Sequence, residues 1–238
     1  MLKNLVKDLP LNAVVLDYGC YNWPLYNLAV ELGRNDLEHH GCDLAEFTKT
    51  PEGCFFHISN SSDYHVNSDA DQFDFIAVSH VVEHVQDPLK LFESLCRVCK
   101  PGGIIYFEAP SDRSLMIKSD PNVERHTFFS FWDDPTHVKA WTPAAFYRLA
   151  LSYGCDPIDV GYIGSFMDRV LYPLRWLKSF ALRDYDLLTE AKWRARKWTC
   201  YAVIKKDENV KGVPPFKYLT LKNVKGGKEQ VLKAFSGE

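Results

Sequence analysis

Apolar and polar positions alternate in blocks along the first half of the chain. Asn12-Ala13-Val14-Val15-Leu16-Asp17 is a short apolar run closed by an acid, the pattern of a strand buried on both faces in a parallel sheet. Tyr18-Gly19-Cys20 follows as a turn. Over residues 24–32, Leu25, Leu28, Ala29 and Leu32 form a helical stripe, with Gly33 where the helix stops. Residues 38–43 predict a second strand that again ends in an acid, 54–58 a third and 73–79 a fourth. Asp87 as N-cap and Pro88 at the first helical position open the next helix. Its expected buried face is Leu89, Phe92, Leu95, Cys96 and Cys99. Lys100-Pro101-Gly102-Gly103 stops it, and 104–107 reads as a fifth strand. Thr142 and Pro143 then open a helix with Phe146, Leu149, Ala150 and Tyr153 on one side and Gly154 at its end. Residues 165–196 read as helical and rich in Arg, Trp and Leu, and 198–204 as a late strand. From Lys205 onward the chain is polar.

This order predicts an α/β sheet with helices on both faces and ligands beyond the carboxyl ends of the strands. The 238 residues suit one domain over 1–205, with 165–197 as a helical insertion and 206–238 as a polar tail. A hydrophobic share of 46% with 25% charged residues excludes a disordered chain, a collagen-like fibre and a coiled coil. The balance of 28 basic and 31 acidic residues gives no support to a nucleic-acid partner. No apolar run approaches the roughly 18–20 residues of a membrane span, and the first ten residues are too interrupted by charge for a signal peptide. The seven cysteines, scattered through apolar segments, read as reduced thiols, so the expected location is cytoplasmic.

The candidate site lies at the end of the first strand. Gly19 permits close approach of a ligand to bare backbone in a strand-to-helix turn. Asp43 stands 24 positions later at the end of the second strand, a spacing at which an acid accepts hydrogen bonds from ribose hydroxyls. A nicotinamide dinucleotide would need G-x-G-x-x-G where this chain has Gly19-Cys20-Tyr21-Asn22-Trp23-Pro24, and a phosphate-cradling Walker loop is absent as well.

Val14-Val15-Leu16-Asp17-Tyr18-Gly19-Cys20 resembles the first motif of the class I S-adenosylmethionine-dependent methyltransferases. Phe73-Asp74-Phe75-Ile76, followed by His80-Val81-Val82-Glu83-His84-Val85-Gln86-Asp87-Pro88, is similar to the stretch after the fourth strand in one branch of that superfamily. Arg97-Val98-Cys99-Lys100-Pro101-Gly102-Gly103 resembles its helix end before the fifth strand. The likeness covers about residues 12–110. It implies a Rossmann-like doubly wound sheet of seven strands, mostly parallel with an antiparallel last strand, and S-adenosylmethionine as cofactor. Asp17, Gly19, Cys20, Tyr21, Asp43, Asn60, Ser79 and His80 are the expected cofactor-binding positions. Phe131-Trp132-Asp133-Asp134-Pro135-Thr136-His137-Val138 is similar to a segment of branch members associated with bacterial surface polysaccharides, which points to a sugar-type or polysaccharide-precursor acceptor. The chain departs from the family at Tyr21 and Trp23, where the first motif usually has glycine. Tyr21 crowds the methionine portion of the cofactor unless its side chain points out. Asn60 stands roughly where the family has an acid after the third strand.

Methyl transfer to a hydroxyl needs a base, and histidine suits that role. His80, His84, His126 and His137 are the candidates, and His137 is chosen for its place after the fifth strand, with Asp134 three positions before it to hold the imidazole. Asp134 and Trp141 are the expected substrate contacts. No metal is expected: Cys96 and Cys99 read as packing, Asp133 and Asp134 as solvated or capping acids, and Glu83 as a helix-start acid. A second class of function is a methyltransferase-like scaffold without catalysis, to which the altered glycine turn points. Peripheral membrane contact through residues 169–178 is a third, weighed against a helical lid over the pocket.

Overall fold

The computed structural model describes residues 1–118 and 130–216; His126 and the end of the polar tail lie outside them. Seven strands form one sheet in the order β3-β2-β1-β4-β5-β7-β6. They are β1 (Val14–Tyr18), β2 (Glu38–Asp43), β3 (Phe55–Ile58), β4 (Phe73–Ser79), β5 (Cys99–Pro110), β6 (Asp156–Tyr162) and β7 (Thr199–Lys205). The first five pair in parallel, and β7 runs antiparallel to both β5 and β6. This is the doubly wound sheet with an antiparallel last strand that the sequence predicts.

Residues of β1 alternate between two cores because successive side chains leave a strand on opposite faces. Val15 joins Val6, Leu25, Ala29 and Phe75 on one face, near α1 (Leu2–Asp8) and α2 (Pro24–Glu31). Leu16 and Tyr18 join Phe92, Leu95 and Phe146 on the other, near α3 (Pro88–Val98) and α4 (Pro143–Ser152). Asp87 caps α3 by accepting from the amides of Leu89 and Lys90. The buried face of α3 carries Leu91, Phe92, Leu95, Cys96 and Val98, whereas Leu89 is 43% exposed. Nor does Cys99 belong to the helix. It opens β5, which runs through Lys100-Pro101-Gly102-Gly103, with Gly102 at a φ of +78° and a register shift opposite Phe73 and Phe75. The glycine pair bends a strand that the sequence pattern starts only at residue 104. All seven cysteines are free thiols.

The pattern misses β6 because Asp156, Pro157 and Asp159 break its apolar alternation. Its place at the sheet edge explains them, since proline and charge deter further strand pairing there. Between β6 and β7 come α5 (Phe166–Val170), α6 (Tyr172–Leu182) and α7 (Tyr185–Arg196). Asp168 clamps them together. It takes the Ser165 amide and hydroxyl, Arg175 Nη1 at 2.5 Å and Arg194 Nε at 3.2 Å. Burial opposes ionisation of its carboxyl, yet these bonds hold it well below the usual carboxylate range. Phe166, Leu174, Leu177 and Phe180 face outward from α5 and α6. Among the described residues no helix is long and apolar enough to cross a membrane.

Lys206 closes the sheet from below. It is fully buried, and its Nζ donates to Asp71 Oδ1 at 2.7 Å and to the carbonyls of Cys96 at 2.8 Å and Cys99 at 2.7 Å. Lys206→Met takes this donor from the buried Cys96 and Cys99 carbonyls, while Asp71 keeps the Gly212 amide. Its urea midpoint is expected to fall at unchanged m, with a loss of roughly 3 kcal/mol. A midpoint equal to wild type would show that solvent replaces the ammonium.

Candidate functional site

The glycine turn is rebuilt around Asp43. Gly19 has a φ of +83°, and a Cβ there would lie 2.2 Å from Val81 Cγ2, so no side chain fits. The amides of Gly19 and Cys20 donate to the Cys42 carbonyl at 2.7 and 3.3 Å. Asp43 accepts from the Tyr21 amide through Oδ2 at 3.1 Å and from the Leu44 amide through Oδ1 at 2.7 Å. These bonds pin the turn after β1 to the end of β2. The Tyr21 ring is 57% exposed and packs at 5.5 Å from Phe47, so it points out of the turn. Trp23 turns inward in the left-handed region, with φ 55°, and is buried over Gly41, where a Cβ would come within 2.6 Å of its ring.

This arrangement fits a nucleoside bearing a positive charge. A carboxylate oxygen has room for more than one donor, so Asp43 can take ribose hydroxyls beside its two amides. Leu44 and Phe47, each 56% exposed, supply apolar surface next to it. Asp17 is buried and accepts from the Leu25 amide at 3.0 Å. Burial pushes its pKa up to about 7 against that bond, with Asp43 adding to the rise. A buried carboxyl so placed gains from a cation. Asn60 is less suited to the adenine amino group, because its Oδ1 already accepts from Ser62 N, Ser62 Oγ and Asp63 N.

The end of β4 carries a charged knot. His80, just beyond Ser79, has φ 55° and donates its amide to the Glu108 carbonyl at 2.8 Å. Its Nδ1 lies 3.2 Å from Glu83 Oε1 and its Nε2 3.8 Å from Glu108 Oε1. Burial favours the neutral ring, but Glu108 and Glu83 outweigh it and raise the pKa to about 10. His80 is therefore an imidazolium near neutral pH and cannot serve as a base. Glu83 is fully buried, and its Oε2 has no hydrogen-bond partner among the described residues. Its backbone carbonyl accepts from Val138 N at 2.7 Å and Lys139 N at 3.3 Å.

That carbonyl brings His137 to the same place. His137 Nδ1 lies 2.7 Å from the Phe131 carbonyl and so donates to it, which leaves Nε2 as the basic nitrogen. The His137 ring is 4.9 Å from that of His84, whose Nδ1 meets Thr136 Oγ1 at 2.8 Å. Ligand atoms of Glu83, His84 and His137 lie within 4.8 Å of one another, close enough to share one cation. Asp134 does not hold the imidazole as the sequence suggests. Its Oδ2 stays 3.9 Å from Nε2, while its Oδ1 takes Thr136 N and Oγ1. Asp133 forms a capping box with Ser130. Trp141 is buried, stacks on Phe146 at 4.5 Å and donates Nε1 to the Val82 carbonyl at 3.3 Å. It packs in the core. The partnership of Glu83 with His84 and His137 escapes the sequence reading, since 53 positions separate the histidines. The adjacency of Glu83 and His84 after a β4-type strand is its one local trace.

A family model described as a methyltransferase domain matches residues 2–160. A ubiquinone biosynthesis O-methyltransferase from Cereibacter sphaeroides is 25% identical over 196 residues, covering 78% of this chain and 75% of that protein. An S-adenosylmethionine-dependent methyltransferase from Mesorhizobium loti superposes with a TM-score of 0.59 at 17% identity, covering 86% of this chain and 95% of the other. One from Archaeoglobus fulgidus gives a TM-score of 0.54 at 20% identity, with 86% and 94% covered. At these identities the superpositions establish the fold.

Two predictions follow from the turn. Asp43→Ala is expected to weaken S-adenosylmethionine binding by roughly 1–3 kcal/mol in calorimetric titration. Tyr21→Gly should leave that affinity unchanged, and a tighter Tyr21→Gly complex would show that the ring obstructs the pocket. Asp17 generates the other. Its folded pKa lies above the ordinary carboxylate value, so stability is lost as pH rises from about 4 towards 7, at up to about 1.4 kcal/mol per pH unit. Asp17→Asn keeps an acceptor for Leu25 and removes the buried charge. It should melt higher than wild type at pH 8, yet bind the cationic cofactor more weakly. Parallel melting profiles across pH 4–8 would place Asp17 in contact with solvent instead.

Proposed function

We propose an acceptor for this chain, which belongs to the methyltransferase-domain family and is an S-adenosylmethionine-dependent methyltransferase: a hydroxyl oxygen on a small polar, sugar-type metabolite. The observation that carries the reading is His137. Its bond to the Phe131 carbonyl leaves Nε2 as the basic nitrogen, and ligand atoms of Glu83, His84 and His137 lie within 4.8 Å of one another, on the side of the sheet where β4 ends. The name of the Cereibacter sphaeroides relative, an O-methyltransferase, supports an oxygen acceptor.

When bound, S-adenosylmethionine supplies a methyl carbon activated by positive sulfur. Asp43 would hold its ribose hydroxyls and Asp17 would face its positive charge. His137 Nε2 would take the proton that the acceptor hydroxyl loses on methylation. Glu83 would stabilise the imidazolium so formed. The Phe131 carbonyl keeps Nδ1–H in place throughout and fixes the tautomer. The rings of Trp193 and Trp198 lie 6.2 and 5.9 Å from that of His80. This contact places α7 beside the exit of β4, which favours a lid role for the insertion over membrane contact. The exposed Tyr21 ring favours catalysis over a scaffold role.

His137→Gln keeps polarity but accepts no proton. It is expected to lower turnover by about 10²–10⁴-fold with S-adenosylmethionine affinity unchanged, measured by methyl transfer to a panel of hydroxylated metabolites and by calorimetry. Wild-type turnover in the Gln variant would remove His137 as the base.

A further inference from the structure

A second cavity opens beyond the carboxyl end of β5. It measures about 570 Å³, within the range of small-molecule sites. Arg113, Arg169, Arg196 and Lys197 line it, with the hydroxyl-bearing Ser165 and Tyr172, and among the described residues no carboxylate does. Four cations around one space stand out in a chain whose net charge is −3. They come from three places: the turn after β5, the last residue of which pairs with β7; the end of α5; and the end of α7. The carbonyl dipole at the end of α7 favours cations and accounts for Arg196. It does not account for Arg113 or Arg169, which belong to other elements.

The nearby acids are engaged elsewhere. Asp168 holds Arg175 and Arg194, and Asp112 accepts from the Tyr162 hydroxyl at 2.9 Å. Among the described residues no carboxylate pairs with Arg113, Arg169 or Arg196 in an ion pair. Arg113 lies 4.1 Å over the Tyr162 ring, and Lys197 Nζ is 5.9 Å from the centre of the same ring. Tyr162 thus keeps two like charges near each other. Lys197 itself sits in the left-handed region, with φ 53°. Guanidinium groups gathered without a carboxylate partner among the described residues favour an anion between them, and they match phosphate oxygens in pairs.

The cavity is also tied to the segment that carries His137. Ser111, two positions before Arg113, donates its hydroxyl to the Lys197 carbonyl at 2.7 Å and bridges to Trp141. Asp112 N donates to the Trp141 carbonyl at 2.8 Å. The segment that carries His137 and the floor of the basic cavity therefore share one anchor. We propose that this cavity binds a phosphate or diphosphate group of the acceptor, so that the enzyme methylates a phosphorylated metabolite. The proposal rests on the oxygen-acceptor reading and adds the group by which the acceptor is held.

Inorganic pyrophosphate is the probe, titrated calorimetrically into the full chain at low salt. It should bind one to one. Arg169→Ala and Arg196→Ala, both at exposed positions, should each weaken it at least about tenfold and leave S-adenosylmethionine affinity unchanged. Lys178→Ala, outside the cavity on α6, should have no effect on either ligand. Three results would overturn the proposal. Pyrophosphate could fail to bind; its affinity could be indifferent to both arginines; or the arginines could matter only for binding phosphatidylglycerol vesicles, which would make the cavity a lipid headgroup site. None of these results touches the role of His137, which the Gln variant tests separately.

Discussion

One residue joins the two halves of the site. Glu83 leaves β4 with its side chain bonded to His80 and its carbonyl bonded to Val138 and Lys139. The first interaction locks the turn after β4. The second draws in a segment some fifty positions away and sets His137 beside His84. A fully buried acid is costly unless paired, and among the described residues Glu83 has a charged partner on one oxygen. The cost is met by His80, itself held positive between two carboxylates. A carboxylate oxygen of Glu83 lies within 4.8 Å of ligand atoms of His84 and His137.

The sheet supplies the other requirement. Its parallel strands bring the turn after β1, the acid ending β2 and the exit of β4 to one edge, as their register dictates. Asp43 then does two things, since it fastens the glycine turn and remains able to take further donors. This explains how the turn tolerates Tyr21 and Trp23. One side chain goes to solvent, the other fills the space over Gly41, and amide bonds to Cys42 and Asp43 keep the path that spaced glycines would otherwise permit.

Much of the fold was legible because buried parallel strands and capped helices leave strong local patterns. Val14 to Asp17, Asp87-Pro88 and Thr142-Pro143 each mark an element that the structure contains. What stayed hidden was non-local or atypical. The edge strand β6 carries proline and acids, and β5 begins inside a Lys-Pro-Gly-Gly segment that reads as a stop. In the site, Asp43 and Gly19 followed from spacing. The base could be narrowed to a few histidines, and spacing placed Asp134 beside His137, though at 3.9 Å from Nε2 and not on Nδ1. A backbone carbonyl, that of Phe131, holds it, and sequence carries no sign of such a bond. Trp141 shows the same limit, since an aromatic in a loop segment reads equally as a stacking platform or as core.

The account stands or falls on whether the cofactor and His137 share one acceptor. A crystal structure of the chain with S-adenosylhomocysteine measures this directly. It should show the ribose on Asp43 and the sulfur facing His137. The gap should let a single oxygen lie about 3 Å from the position of the transferred methyl and about 3 Å from Nε2. A bound product whose sulfur points away from His137, with Glu83 and Val81 between them, would contradict it.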